Sequence, residues 1–114
     1  MKKRQRILKN QEFQKIIKSK KFLRRNALVI YFLPKSEEQP RVGISVGKKV
    51  GNAVIRNKIK RQIRSITVSN YFKDNDQFDL VIMVMKTYFN FTFVEVEKDL
   101  IALLNKIRRL KNGK

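Results

Sequence analysis

The chain has 114 residues and a formal net charge of +19, from 28 Lys and Arg against 9 Asp and Glu. Its length suits one domain, and a hydrophobic share of 42% supplies a real core, which excludes a disordered basic tail. With no Cys and no His, the chain lacks disulfides, thiolate metal sites and the commonest general base. A charge this large favours a polyanionic partner, with nucleic acid first and an anionic membrane surface second.

The termini and the charge distribution add two expectations. No apolar run reaches the roughly 20 residues needed to cross a bilayer, and the basic start MKKRQRILKN lacks the apolar segment of a secretory signal. We therefore expect a cytoplasmic protein with one RNA-binding domain over 1–114, in which 1–8 are a candidate for a flexible basic arm. The charge is segregated, because no acid occurs between Glu38 and Asp74.

The first predicted element is a short helix over 10–18. Phe13, Ile16 and Ile17 recur there at i, i+3, i+4 spacing, which is typical of a helix that buries one face. Asn10 is the expected N-cap, because its side-chain oxygen can accept a free N–H of the first turn.

Two longer strands are predicted next, at 27–33 and 41–47, where β-branched and aliphatic residues are concentrated. They are joined through a turn that Pro34 and Pro40 bracket. A shorter strand is expected before them, near 21–25.

The run KKVGNAVIRNKIKRQIR, at 48–64, predicts a helix with two stripes. At about 100° per residue, four isoleucines fall on one narrow face that would anchor the helix on a sheet: Ile55, Ile59, Ile63 and Ile66. A second stripe beside them is polar and basic: Arg56, Asn57, Lys60, Arg61 and Arg64. Lys58 lies on the far flank. Like charges at i, i+4 destabilise a helix, so the pattern indicates a phosphate-binding face that an external polyanion compensates.

The glycines before this helix do not form a nucleotide-binding loop. Three residues separate Gly43 from Gly47, where the Walker pattern has four, and no Ser or Thr follows the lysines. Gly47 and Gly51 are instead expected to let the backbone turn sharply from strand into helix. The free N–H groups beside Asn52 would still be able to receive an RNA phosphate.

The C-terminal third predicts a strand and a helix. The segment 78–85 is almost continuously apolar, which indicates a central strand. Thr92 and Glu95 have capping-box spacing at the start of the helix, and Arg108 and Arg109 complement its dipole near the end. Its apolar stripe is Val96, Leu100, Leu103, Ile107 and Leu110.

No set of side chains suggests catalysis by this chain. The serines have no His to activate them. Asp74, Asp76 and Asp79 are a weak Mg²⁺ candidate, but an exposed loop that begins a strand is the favoured interpretation. We therefore expect no catalytic residue and no metal ligand.

Aromatic residues leave two interpretations open. Phe13 and Tyr31 either belong to the core or meet in a groove and stack bases. Phe89, Phe91 and Phe93 alternate in YFNFTF, which fits a loop packing under a helix better than a binding platform.

The stretch RVGISVGKKVGNAVIRNKIKRQIR, at 41–64, resembles the signature of the bacterial ribonuclease P protein subunit. That signature joins a strand and a Ser-x-Lys-Lys-type turn to a Gly-Asn-Ala-Val helix start and an Arg-Asn-Arg-x-x-Lys-Arg-like basic helix. The segments RILKNQEFQKIIKSKK, ALVIYF and TFVEVEKDL extend the resemblance over most of the chain.

The resemblance implies an α+β fold in a single domain, with a mixed sheet of about four strands packed with helices. The implied order is α-β-β-β-α-β-α. A left-handed β-α-β crossover is implied from the strand at 41–47 through the basic helix to the strand at 78–85, although the usual hand is right.

The resemblance also implies two kinds of site. The basic region would face the catalytic RNA, through Lys48, Lys49, Asn52, Arg56, Asn57, Lys58, Lys60, Arg61 and Arg64. A cleft between the first helix and the sheet would contact the single-stranded 5′ leader of precursor tRNA, through Phe13, Ile17 and Tyr31. Lys58 stands where many members have Arg, which keeps the charge but loses the planar fork. Ile17 occupies a position that is aromatic in some members.

The function implied is that of a protein cofactor of ribonuclease P, an endonuclease and hydrolase that matures tRNA 5′ ends. The chemistry would belong to the RNA and its Mg²⁺, with no cofactor bound by the protein alone. The partners would be the catalytic RNA and precursor tRNA, without a membrane, and a holoenzyme dimer is left open. The alternatives are a ribosomal or other structural RNA-binding protein without a role in cleavage, and a basic protein bound to anionic lipid.

Overall fold

The computed structural model describes residues 1–2, 5–7 and 9–110. The α-helices and strands of these ranges follow in chain order: α1 (Asn10–Lys18), β1 (Phe22–Arg25), β2 (Leu28–Pro34), β3 (Val42–Val46), α2 (Ala53–Asn70), β4 (Phe78–Val84) and α3 (Phe93–Arg108). Short 3₁₀ turns precede α2 and α3 at Lys48–Val50 and Tyr88–Asn90. The predicted α+β class and the α-β-β-β-α-β-α order are confirmed, including the short first strand.

The strands form one mixed sheet in the order β1-β2-β4-β3. β2 is antiparallel to β1 and to β4, whereas β3 and β4 are parallel. β4 therefore lies between β2 and β3, with six of its seven residues buried. The predicted central strand is confirmed, and its nearly continuous apolar sequence follows from coverage on both faces.

Helix α2 is the crossover between the parallel neighbours β3 and β4, as the resemblance implied. The left-handed sense of the crossover stays a prediction. Asn52 caps the helix, since its Oδ1 accepts the N–H of Ile55 at 3.0 Å. Gly47 and Gly51 have φ values of −62° and 168°, which any residue can adopt. The turn therefore needs no left-handed backbone at either glycine. Gly51 is required by space instead, since an added Cβ would lie 2.8 Å from Cγ2 of Ile55.

Side chains of the sheet alternate between two hydrophobic clusters on opposite faces. On the inner face, α2 and α3 cover the larger cluster, in which Ile59, Ile63 and Ile66 of α2 are buried. Ile55, the first residue of the predicted stripe, is only at the rim, with 36% of its surface exposed. On the outer face, α1 contacts β2 and β4 and contributes the buried Ile16.

Of the three predictions about helix ends, the structure confirms one and contradicts two. The capping box of α3 is confirmed, with Thr92 and Glu95 exchanging hydrogen bonds of 2.9 and 3.2 Å. Leu110 is 40% exposed, because α3 ends at Arg108 and the stripe ends with it. The N-cap of α1 is Lys9 rather than Asn10, and its side chain makes no capping bond.

The acidic segment before β4 is not an exposed loop. Asp76 is buried and accepts hydrogen bonds from Arg108 Nε at 2.7 Å and Nη2 at 3.1 Å. These bonds raise the pKa of Arg108. Asp79 is buried as well, and only Asp74 is exposed. Within 1–2, 5–7 and 9–110, no three acidic side chains are grouped as metal ligands.

The N-terminal arm is partly described. Ile7 is buried, and its N–H donates to the carbonyl of Val42 at 3.2 Å, so this part of the arm lies along β3. Residues 3, 4 and 8 of the predicted arm lie outside the described residues. None of the helices described is long and apolar enough to cross a membrane.

Candidate nucleic-acid interface

The outer face of the sheet carries a group of half-buried side chains at the edge of α1, where the resemblance implied a cleft. Phe13, Ile17 and Tyr31 are all half-buried and pack against the same outer cluster. The structure therefore brings together the three residues that sequence similarity pointed to, although they come from two elements. Because none of them is fully buried, each retains surface that a ligand can contact.

Gly43 makes this arrangement sterically possible. A Cβ added at Gly43 would lie 2.5 Å from Cζ and 2.8 Å from Cε2 of Phe13, closer than real Cβ contacts. The tip of the Phe13 ring thus occupies the space that a side chain on β3 would fill. Glycine at this position fixes how deeply Phe13 can seat on the sheet.

Phe22 extends the cleft, and sequence reasoning missed it. It is the direct cross-strand neighbour of Tyr31, with ring centroids 5.4 Å apart and ring planes tilted by 46°. Its side chain is 49% exposed. A two-residue hairpin turn at Asn26 and Ala27 would have paired Phe22 with Tyr31, so the register held the missing signal.

A polar network fixes α1 over the sheet beside the cleft. Arg41 Nη2 donates to the Glu12 carboxylate of α1, and this hydrogen bond is the main reason that the pKa of Arg41 is raised. The backbone N–H of Arg41 donates to Asp79 Oδ1 at 2.8 Å. Burial raises the pKa of Asp79 in turn, although this hydrogen bond opposes the shift. Arg41 therefore links Glu12 of α1, through its side chain, to Asp79 of β4, through its backbone.

The basic region is formed by the turn before α2 and the outward side of α2. Six of the nine predicted RNA-binding residues are exposed: Lys48, Lys49, Asn52, Asn57, Lys58 and Arg61. The other three are half-buried: Arg56, Lys60 and Arg64. Among the described residues, none of the nine forms an ion pair. Their charge is therefore not neutralised within this part of the chain.

Two members of the set also support the helix start. Arg56 Nε donates to the carbonyl of Gly51 at 3.1 Å, and Asn52 is the N-cap described above. At the same end of α2, Lys48 and Lys49 line a surface cavity of about 490 Å³. Lys86, just after β4, lines it too, and sequence reasoning missed this third lysine because it is distant along the chain.

The alternating phenylalanines are not where the sequence pattern placed them. Phe89 is 63% exposed and Phe93 is 45% exposed, so the prediction of a loop packed under a helix is wrong for both. Tyr88, the residue before them, is the aromatic residue that fills the core at this point.

Known proteins are similar to this chain over most of its length. A family model described as Ribonuclease P matches residues 1–108. The chain belongs to the ribonuclease P protein family. A ribonuclease P protein component from Mycoplasma capricolum is 43% identical and covers 95% of this chain and 100% of its own length. One from Bacillus cereus strain Q1 is 45% identical and covers 97% of this chain and 99% of its own.

A solved ribonuclease P protein has the same fold. The Staphylococcus aureus RNase P protein superposes with a TM-score of 0.79 at 34% identity, over 95% of this chain and 98% of that one. The single α+β domain with its four-stranded mixed sheet therefore matches the fold of solved ribonuclease P proteins.

Proposed function

We propose that this chain is the cytoplasmic protein subunit that helps a bacterial ribonuclease P RNA remove the 5′ leader from precursor tRNA. Family membership supports the ribonuclease P role. The observation that carries the finer proposal is the presence of two distinct groups of side chains, an aromatic group on the outer face of the sheet and a basic group on α2 and the turn before it. A single protein can then hold the catalytic RNA with one surface and the leader with the other.

The basic surface of α2 is the proposed contact with the catalytic RNA. Its cations have no counter-charge on their own helix, so RNA phosphates relieve their mutual repulsion. Binding releases counterions from the RNA, which supplies affinity without base specificity. Screening of this kind also favours the compact RNA fold at low Mg²⁺.

The cleft between α1 and the sheet is the proposed leader site. Phe13, Tyr31 and Phe22 offer half-exposed aromatic surface, which suits stacking by unpaired bases. A precursor has a leader to place there, whereas the mature product has none. The cleft therefore adds affinity for substrate over product.

Hydrolysis is assigned in this proposal to the RNA and its bound Mg²⁺. The composition supports this, since a chain without His or Cys lacks the usual nucleophile–base pairs. The protein contributes binding and positioning, and it holds no cofactor of its own.

The test is equilibrium binding of the reconstituted holoenzyme to precursor tRNAs with leaders of increasing length, beginning with none. Affinity should rise with leader length until the cleft is filled, and Phe13→Ala with Tyr31→Ala should remove most of the rise. An affinity independent of the leader would favour the alternative, a structural RNA-binding protein without a role in cleavage.

A further inference from the structure

A second aromatic surface lies between the start of α2 and the turn before α3. It is a groove of about 360 Å³, whose lining includes Ile55, Lys58, Gln62, Phe89, Phe91 and Phe93. It is distinct from the cleft under α1, because α2 and α3 cover the opposite face of the sheet.

The groove is built on fixed groups. Phe89 packs edge-to-face on Tyr88, with ring centroids 5.2 Å apart and an interplanar angle of 86°. Tyr88 is buried, and its hydroxyl donates to Gln62 Oε1 at 3.2 Å. One side of the Phe89 ring is thus supported by the core, while 63% of the residue stays exposed. An aromatic platform held in this way loses little entropy when a flat ligand stacks on it.

Charge and hydrogen-bonding groups narrow the choice of ligand. Among the described residues, Lys58 is the charged side chain that lines the groove, and no carboxylate lines it. Gln62 uses its oxygen for Tyr88, which leaves its amide N–H groups for a ligand. A flat apolar ring with a polar edge and an attached anion fits this combination, and an RNA nucleotide has all three properties.

The groove shares residues with α2, and this indicates which RNA would bind in it. Lys58 and Gln62 belong to the helix whose outward stripe is the proposed contact with ribonuclease P RNA, and the inference rests on that proposed function. We propose that the groove binds one unpaired base of the ribonuclease P RNA, stacked on Phe89 and Phe93, with Lys58 on its phosphate. This gives Lys58, which lies off the main basic stripe, a role separate from that stripe.

The proposal is tested by measuring the affinity of the full chain for ribonuclease P RNA over a range of salt concentrations. Phe89→Ala should weaken binding by about 5- to 150-fold, the usual effect of removing one stacked base. The salt dependence of RNA binding should be the same for Phe89→Ala as for the native chain, because the variant keeps every phosphate contact. Phe89→Tyr should bind normally, and Phe89→Leu should bind weakly, since it keeps apolar area but loses the aromatic face.

Val94→Ala is the matched control, because Val94 is apolar and 56% exposed but does not line the groove. It should bind normally. Chemical probing of the RNA adds a base-level readout, in which the native chain protects one unpaired base that Phe89→Ala leaves reactive.

The outcomes separate this proposal from the proposed function. If Phe89→Ala and Phe93→Ala bind normally while Arg61→Glu binds weakly, the groove proposal is overturned and the basic surface stands. If Arg61→Glu also binds normally, the RNA-facing role of α2 fails as well. If the chain self-associates without RNA, and Phe89→Ala abolishes only that association, the groove is a protein contact and the proposal is overturned.

Discussion

Gly43 lies directly beneath the ring of Phe13, and the close approach leaves no room for a Cβ between β3 and α1. Strand β3 and helix α1 therefore approach each other where the ring of Phe13 packs directly on the backbone of Gly43. The depth of the candidate leader cleft depends on this pair, which comes from segments thirty residues apart.

Gly43→Ala should lift Phe13 from the sheet and lower the affinity of the holoenzyme for leader-bearing precursor. The reason is steric, because the new methyl group would lie 2.5 Å from the ring. Binding of precursors with and without a leader is the measurement. Gly47→Ala is the control, since its added Cβ meets nothing closer than a carbonyl at 3.9 Å. Similar losses in both variants would contradict the steric explanation.

Tyr31→Ala should reduce affinity for leader-bearing substrate by roughly 1–3 kcal/mol if its ring stacks on a leader base. Tyr31→Phe keeps the ring and should retain most of the affinity. The measurement is the affinity of the holoenzyme for precursor tRNA with a leader and for tRNA without one. Equal losses with and without a leader would show a folding defect rather than the removal of a stacked ring.

Arg61→Glu should weaken association with ribonuclease P RNA and flatten its salt dependence. Removing one phosphate neutralised by the protein lowers the slope of log K against log salt by roughly 0.7–0.9. Lys98→Glu, an equal charge change at an exposed position of α3, is the control and should have the smaller effect. If the two variants behave alike, net charge rather than the α2 surface governs binding.

Asp76→Ala should lower the free energy of unfolding by about 3–5 kcal/mol, because it leaves the charge of Arg108 without its partner. The Asp76 side chain has no exposed surface and also accepts the N–H of Lys73 at 2.7 Å. Urea denaturation gives the value. Asp74→Ala, at an exposed position of the same segment, should change stability by less than about 0.5 kcal/mol.

Asp79 should make stability depend on pH in an unusual direction. Burial raises its pKa in the folded state above the ordinary value of 3.8, so the folded chain binds this proton more tightly than the unfolded chain. The contribution of Asp79 to stability therefore falls as pH rises from 3.8 through the raised value, and it is constant beyond.

Asp79→Asn keeps an oxygen for the N–H of Arg41 but removes the titration. Denaturation of both proteins across this window should show the variant gaining stability relative to the native chain as pH rises. A constant difference between the two curves would mean that the folded and unfolded pKa values of Asp79 are the same.

Local signals accounted for most of the fold. The apolar run of β4, the Thr92–Glu95 capping box and the isoleucine stripe of α2 each specify an element within a few residues, and the structure confirms them. Local signals did not specify the order of β2, β4 and β3 in the sheet. Which distant strands become neighbours depends on how the helices cover the two faces of the sheet.

Two of the sequence-based errors have a physical origin in interactions between distant segments, and one is local. Asp76 was predicted to be exposed, but Arg108, thirty-two residues later, lies against it. The local error concerns Phe89, because its neighbour Tyr88 fills the core at this point. Phe22 gains its place in the cleft only from the register with Tyr31. Composition and periodicity describe single elements, so the candidate site depended on similarity to a known family for its first outline.

The most direct test of the central claim is single-turnover cleavage of a precursor tRNA by a bacterial ribonuclease P RNA at low Mg²⁺. The native chain is compared with Phe13→Ala/Tyr31→Ala, which keeps the net charge of +19. The native chain should raise the rate, and the variant should recover only the part due to the basic surface. No gain from the native chain, or an equal gain from both proteins, would contradict the assignment of the cleft to the leader.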